Sequence, residues 1–203
     1  MSNREIRALE METVKAVDDE QMIVEGYALR FNTLSNDLGG FVETISPEAL
    51  KEADLSDVRC YFDHDTSKVL GRTTSETLEL NVDDEGLYFR CQLPNTTYAK
   101  DVYESIRRGD INQCSFGFVL DENGDSFEKR EDGLFKRTLN KIKSLWDVSI
   151  VSVPAYNDTD VAPALRSIEA IKESEQEEVR KAQQEEQRKI ELAKVQLELL
   201  KLK

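Results

Sequence analysis

From Arg4 to Val153, apolar and polar positions alternate with the period of two expected of strands half-buried against a core. Residues 4–33 carry two such runs: Ile6, Ala8 and a run from Leu9 to Val17, then Met22 to Phe31. The polar turn Asp18-Asp19-Glu20 between them predicts a hairpin. Gly26 inside the second run predicts a bulge or a close backbone approach. Residues 32–40 read as a loop, with Asn36, Asp37, Gly39 and Gly40 as turn formers. Phe41 to Ile45 reads as a strand. Ser46-Pro47-Glu48 then supplies a cap, a proline at the first helical position and a first-turn acid for a short helix through Ala53.

Further strands are predicted at Arg59–Phe62, Val69–Thr73, Leu78–Val82 and Leu87–Leu93, the last two joined by the turn Asp83-Asp84-Glu85-Gly86. After Pro94, Thr96 or Thr97 can cap a helix that carries Tyr98, Val102 and Ile106 at four-residue spacing and ends at Gly109. The stretch from Asn112 to Phe118 opens the next strand. Hairpin turns are predicted at Glu122-Asn123-Gly124-Asp125, a strong signal, and at Glu131-Asp132-Gly133, followed by strands at Phe135–Leu139 and Ile142–Val153.

The pattern breaks at Ala164. Ser167–Lys203 holds no Gly, Pro or aromatic residue and has nine acids against eight bases, the composition of a helical tail. The expected division is a β-rich body over 1–165 and a tail over 166–203. Ile190, Ala193, Leu197 and Leu200 fit an a/d seam for two heptads, short of what a coiled coil needs. Two readings of the tail stand: a solvated or disordered segment, or a tether to a partner's helix.

Composition narrows the function. With 203 residues, 39% of them hydrophobic, the chain has room for one sizeable core plus an appendage. The net charge of −14, carried almost wholly by the body, argues against a nucleic-acid backbone as partner. Cys60, Cys91 and Cys114 are widely spaced and there is one histidine, so neither a zinc site nor another cofactor is expected, and the thiols read as reduced core residues of a cytosolic protein. Met1 to Ala8 is charged and lacks an apolar stretch, so no secretory signal is expected. No apolar run approaches the ~20 residues of a membrane helix.

The candidate chemistry gathers around the only histidine, His64, at the polar exit of a strand. Histidine is the usual general base near neutral pH. The flanking Asp63 and Asp65 would favour its charged form if they pointed at it. Ser115 shares a strand face with Gly117 and Val119, which leaves room for an approaching group, while Phe116, Phe118 and Leu120 face the other way. Asp147, an acid inside the apolar run Leu145-Trp146-Asp147-Val148, can orient an imidazole. Its plainer alternatives are a bond to a backbone amide or to Arg72. Cys114 is a rival nucleophile, but neighbours on a strand face opposite ways, and Cys114 falls on the core side.

Five segments, in this order, resemble the prohead (capsid maturation) proteases of tailed bacteriophages. They are Val24-Glu25-Gly26-Tyr27-Ala28 with Phe31; Glu43-Thr44-Ile45-Ser46-Pro47-Glu48-Ala49-Leu50; Phe62-Asp63-His64-Asp65 with Val69-Leu70-Gly71-Arg72; Ser115-Phe116-Gly117-Phe118; and Leu145-Trp146-Asp147-Val148-Ser149-Ile150-Val151 leading into Pro154-Ala155. The resemblance covers about residues 4–165. It implies an α+β, mainly β fold: an antiparallel β-barrel core similar to that of herpesvirus assemblins, a few surrounding helices and the helical tail. It implies a serine endopeptidase with His64 as base, Ser115 as nucleophile and Asp147 as third member, where the family often shows Glu. Aspartate is a methylene shorter, so either the backbone sits closer or a water intervenes. Gly71-Arg72 is a candidate source of oxyanion donors, although a plain strand glycine and a surface arginine are the preferred reading. The implied partners are the major capsid protein with its scaffolding segment, the portal and further copies of the chain itself, with no nucleic acid or membrane. The implied place is the host cytoplasm, inside the assembling prohead. Self-cleavage of the tail is a further implication. Three competing readings are a non-catalytic scaffold with a protease-like body, a Cys114–His64 hydrolase, and a β-barrel binding domain.

Overall fold

The computed structural model describes residues 4–8, 14–153 and 158–201. Its strands run β1 (Arg4–Ala8), β2 (Val14–Asp18), β3 (Ile23–Arg30), β4 (Phe41–Ile45), β5 (Arg59–Phe62), β6 (Asp65–Arg72), β7 (Leu78–Val82), β8 (Gly86–Gln92), β9 (Gln113–Leu120), β10 (Asp125–Lys129), β11 (Phe135–Leu139) and β12 (Ile142–Val151). Helix α1 (Thr97–Arg108) lies between β8 and β9, and α2 (Asp158–Lys201) follows β12. The chain divides into two compact units, Met1–Ala162 and Pro163–Lys203.

The fold is α+β and mainly β, as the periodicity predicts, but the expected antiparallel barrel is not what forms. The described strands make three open sheets: β1-β9-β12-β5-β6, β10-β11-β4 and β2-β3-β8-β7. Two strand pairs, β12 with β5 and β11 with β4, are parallel. Parallel neighbours are joined only through long crossovers, so local alternation does not reveal them. Side chains, not backbone ladders, join the first two sheets. Glu5 and Arg7 of β1 meet Glu43 of β4 and Arg137 of β11 in a buried ion cluster: Arg7 Nε to Glu43 Oε1 at 2.7 Å, Arg7 Nη2 to Glu5 Oε2 at 2.6 Å and Arg137 Nη1 to Glu5 Oε2 at 2.6 Å.

One apolar core receives the inward faces of all three sheets: Val24, Leu29, Leu87 and Phe89; Phe116, Phe118, Val148 and Ile150; Ile45 and Leu139. Helix α1 adds Ala99, Val102, Tyr103 and Ile106, one stripe at helical spacing. Gly109 stops the helix in the left-handed region (φ 83°), its N–H bonding the last carbonyls. Thr96 occupies the N-cap position but its side chain makes no capping bond. The predicted hairpin of β2 and β3 forms around Asp18, whose carboxylate accepts the Gln21 N–H. Gly26 itself is in register. The irregularity lies just beyond it, between Tyr27 and Leu29. After β4, Ser46 caps a single 3-10 turn, Pro47–Leu50, shorter than the expected helix.

Residues 9–13 and Pro154-Ala155, counted above in a strand run and in the resemblance, lie outside the described residues. In α2, Val179 and Ile190 are exposed, and i,i+4 ion pairs such as Glu185–Lys189 (3.0 Å) line the surface. The side chains of Ala193, Leu197 and Leu200 lie outside the description. Among the described residues, no helix is long and apolar enough to cross a membrane.

Candidate active site

His64 sits in a tight turn between β5 and β6. Asp63 and His64 both adopt left-handed backbone (φ 51° and 55°), a conformation unfavourable for side-chain-bearing residues. The turn is tied down by Asp63. Its N–H donates to the Ile150 carbonyl (2.9 Å), and its carboxylate accepts the Ser152 N–H (2.7 Å) and hydroxyl (2.9 Å) at the end of β12. Asp63 therefore locks the turn and does not charge-pair with the imidazole. Asp65 likewise turns away to Ser67 (2.6 Å) and Lys68 (3.4 Å).

Three candidates named from the sequence converge. His64 Nε2 lies 2.7 Å from Ser115 Oγ, and His64 Nδ1 lies 2.8 Å from Asp147 Oδ2. An ionised carboxylate can only accept, so Nδ1 donates to it, and in the neutral imidazole that leaves the Nε2 lone pair for the serine hydroxyl. No water intervenes between aspartate and histidine: the backbone sits close enough for the shorter side chain. Asp147 is fully buried, Ser115 is 1% exposed, and the His64 side chain is 21% exposed.

A bulge brings Asp147 into place. The β12–β9 register slips between Leu145 and Asp147, leaving Trp146 as the extra residue. Leu145 and Val148 both enter the core, while Trp146 and Asp147 both lie over Gly117. A methyl group on Gly117 would overlap the indole and stand 2.9 Å from Asp147 Oδ1. The guanidinium of Arg4, from β1, covers the indole at 5.0 Å.

Three neighbours of the site were not singled out from sequence. The Arg7 carbonyl lies 2.9 Å from Ser115 Oγ, a second acceptor for the same hydroxyl. It comes from β1, which pairs Ala8 with Ser115. Ser149, buried and directly across from Ser115 on β12, donates to Asp147 Oδ2 at 3.3 Å. Its signal was present: two positions past Asp147, it shares that strand face. Trp146 was visible only as part of an apolar run.

Other candidates separate from the triad. The Cys114 thiol is fully buried on the core side, where burial and then the negative charge of Asp147 push it far above the ordinary thiol range. A thiol so disfavoured as thiolate is a poor nucleophile. Arg72 pairs with Asp57 through two bonds (2.6 and 2.8 Å), not with Asp147. Its N–H already donates to Thr77 Oγ1 (2.9 Å), and β6 stands three places from β9 in the sheet. The plain reading of Gly71-Arg72 fits this geometry. Gly71 packs so tightly that a Cβ would press on Cys91 Sγ and the Thr77 carbonyl.

The sequence model of the caudovirus prohead serine protease family matches residues 8–174. No curated protein and no solved structure matches the chain.

Proposed function

Since the chain belongs to the caudovirus prohead serine protease family, we propose that it is a serine endopeptidase in which Ser115 attacks, His64 moves the proton and Asp147 orients and charge-stabilises the imidazole. The observation that carries this reading is the unbroken chain of contacts Ser115–His64–Asp147 at 2.7 and 2.8 Å. In acylation, Ser115 Oγ bonds to the peptide carbonyl carbon while its proton passes to His64 Nε2. His64 then gives that proton to the leaving amine. Water, deprotonated by the same nitrogen, hydrolyses the ester and returns the serine. The buried Asp147 carboxylate stabilises the imidazolium in both halves.

Family membership supports a role in capsid maturation, among capsid components. The scaffolding segment of the major capsid protein is the substrate we favour, with self-cleavage of the tail as a second event and the interior of the prohead as the place. Ser115 is almost closed to solvent.

Intact-mass spectrometry after exposure to a fluorophosphonate tests the assignment. One adduct, mapped to Ser115 and absent from Ser115→Ala and His64→Ala, is expected. An intact wild type, together with uncleaved capsid protein on co-expression, would instead make the chain a non-catalytic assembly protein.

A further inference from the structure

Asp147 is held by very little. Its side chain is fully buried, yet among the described residues Oδ1 has no hydrogen-bond partner. Both hydrogen bonds to the carboxylate fall on Oδ2: one from His64 Nδ1 at 2.8 Å, the other from Ser149 Oγ at 3.3 Å. A buried carboxylate ordinarily collects more donors than this. The contact from Ser149 is thus one of two that set which way the carboxylate faces.

The placement of Ser149 suits that task. It lies on β12 two residues after Asp147 and is fully buried. It pairs with Ser115 on β9 and with Tyr61 on β5, so both flanking strands fix its backbone. Aspartate has two side-chain torsions, and rotation about the second exchanges its oxygens. Since the two oxygens are equivalent, what a donor held by the same strand fixes is the plane of the carboxylate, with one oxygen kept where Nδ1–H meets it. Gly117 leaves the other oxygen just enough room.

We propose that Ser149 is a positioning residue of the site: its buried hydroxyl donates to Asp147 Oδ2 and holds the carboxylate against His64 Nδ1. This rests on the assignment of Ser115, His64 and Asp147 above. Ser149 touches no reacting atom and acts through Asp147 alone.

The single histidine makes the test direct, because any strongly downfield imidazole N–H proton in the NMR spectrum belongs to His64. The wild type is expected to show this resonance, and Ser149→Ala to broaden it beyond detection as the carboxylate loosens. Ser149→Thr, which keeps the hydroxyl, should retain it. On peptide substrate, kcat should fall about tenfold in Ser149→Ala with KM within about twofold, the scale of one lost hydrogen bond to a charged group. On an Asp147→Asn background, Ser149→Ala should cost nothing further. Should Ser149→Ala not fold, Ser149→Cys preserves the volume with a weak donor and carries the same expectations.

A folded Ser149→Ala or Ser149→Cys with unchanged resonance and kcat would overturn the proposal. So would a loss of kcat with the resonance intact, or an equal loss on the Asp147→Asn background. The outcomes also separate this inference from the peptidase reading. Loss of the resonance in a protein that neither cleaves peptide nor takes the fluorophosphonate leaves the positioning role standing and removes the peptidase.

Discussion

Gly117 lies directly beneath Trp146: there is no room between the glycine α-carbon and the indole for even a methyl group. The bulge at Trp146 swings the indole and the Asp147 carboxylate to one face of β12, and the bare backbone of β9 receives both. Gly117→Ala should therefore displace the indole, cost about 1–3 kcal/mol of stability by overpacking, and weaken the His64–Asp147 contact. Urea unfolding followed by far-ultraviolet circular dichroism measures it, a probe that does not depend on Trp146, the only tryptophan. Trp146→Leu in the same chain should recover part of the stability. A Gly117→Ala protein as stable and as active as wild type would contradict this packing.

Asp147→Asn keeps the shape of the site but removes its fixed charge. Asparagine can offer an N–H where Nδ1–H now donates, favouring the wrong tautomer. Peptide hydrolysis should fall by roughly 10⁴-fold, the loss such a change causes in Ser-His-Asp sites, with the fold intact by circular dichroism. A loss below about tenfold would remove Asp147 from the triad.

The buried ion cluster should show itself in acid. Burial alone would push the Glu5 carboxyl up, but the hydrogen bond and charge of Arg137, then the charge of Arg7, outweigh it and hold Glu5 below its ordinary value. A group more acidic folded than unfolded contributes stability that is complete above the ordinary carboxylate value, 4.5, and is lost as pH falls through the folded value. Thermal unfolding scanned downward from pH 6 should show stability dropping below about pH 4.5. Glu5→Gln should flatten that slope and lower stability at pH 7. Glu43→Ala, which leaves Arg7 and Arg137 underpaired, should cost about 3–5 kcal/mol.

Cys114 adjoins the proposed nucleophile in sequence but not in chemistry. Iodoacetamide should leave the native protein unalkylated at Cys114 and its fluorophosphonate reaction undiminished. Cys114→Ala should retain peptidase activity within a few-fold, at a stability cost of about 1 kcal/mol for the small cavity. Inactivation by alkylation mapped to Cys114 would reinstate the cysteine hydrolase.

The tail is proposed as the handle that brings the enzyme into the assembling particle. Deleting residues 175–203 leaves the family-matched segment whole. The truncated chain should still label at Ser115 but be absent from purified proheads. Normal incorporation would end this role.

Much of the site was legible because its evidence is local. His64 is the only histidine, Ser115 and Gly117 alternate with aromatic residues, and Asp147 is an acid in an apolar run; period two sufficed to put Cys114 on the wrong side. The Arg7 carbonyl was not legible. It belongs to the backbone of a strand more than a hundred residues away in sequence, and every residue type offers the same oxygen. Whether Asp63 and Asp65 point at His64 was open in the sequence, and the left-handed turn aims both elsewhere. The ion cluster went unseen for a related reason: Glu5, Arg7, Glu43 and Arg137 each look like ordinary surface residues, and only burial together makes them a unit.

The sequence by itself determined most strands, the stripe of α1 and the change of composition at the tail, since each depends on neighbours a few residues apart; the hairpin predicted at Glu122-Asn123-Gly124-Asp125 does not form, because that turn carries the chain from β9 to β10 in another sheet. It also supplied the three candidate side chains and the family resemblance. Tertiary structure decided the rest. It chose three open sheets over a closed barrel, because strand pairing is settled by hydrogen bonds between distant edges, two of them parallel. It placed the bulge at Trp146, because β9 and β12 must keep register on both sides of Gly117. And it closed the gap between Asp147 and His64 to hydrogen-bonding distance, because β12 lies between the strand that carries the serine and the strand that ends at the histidine.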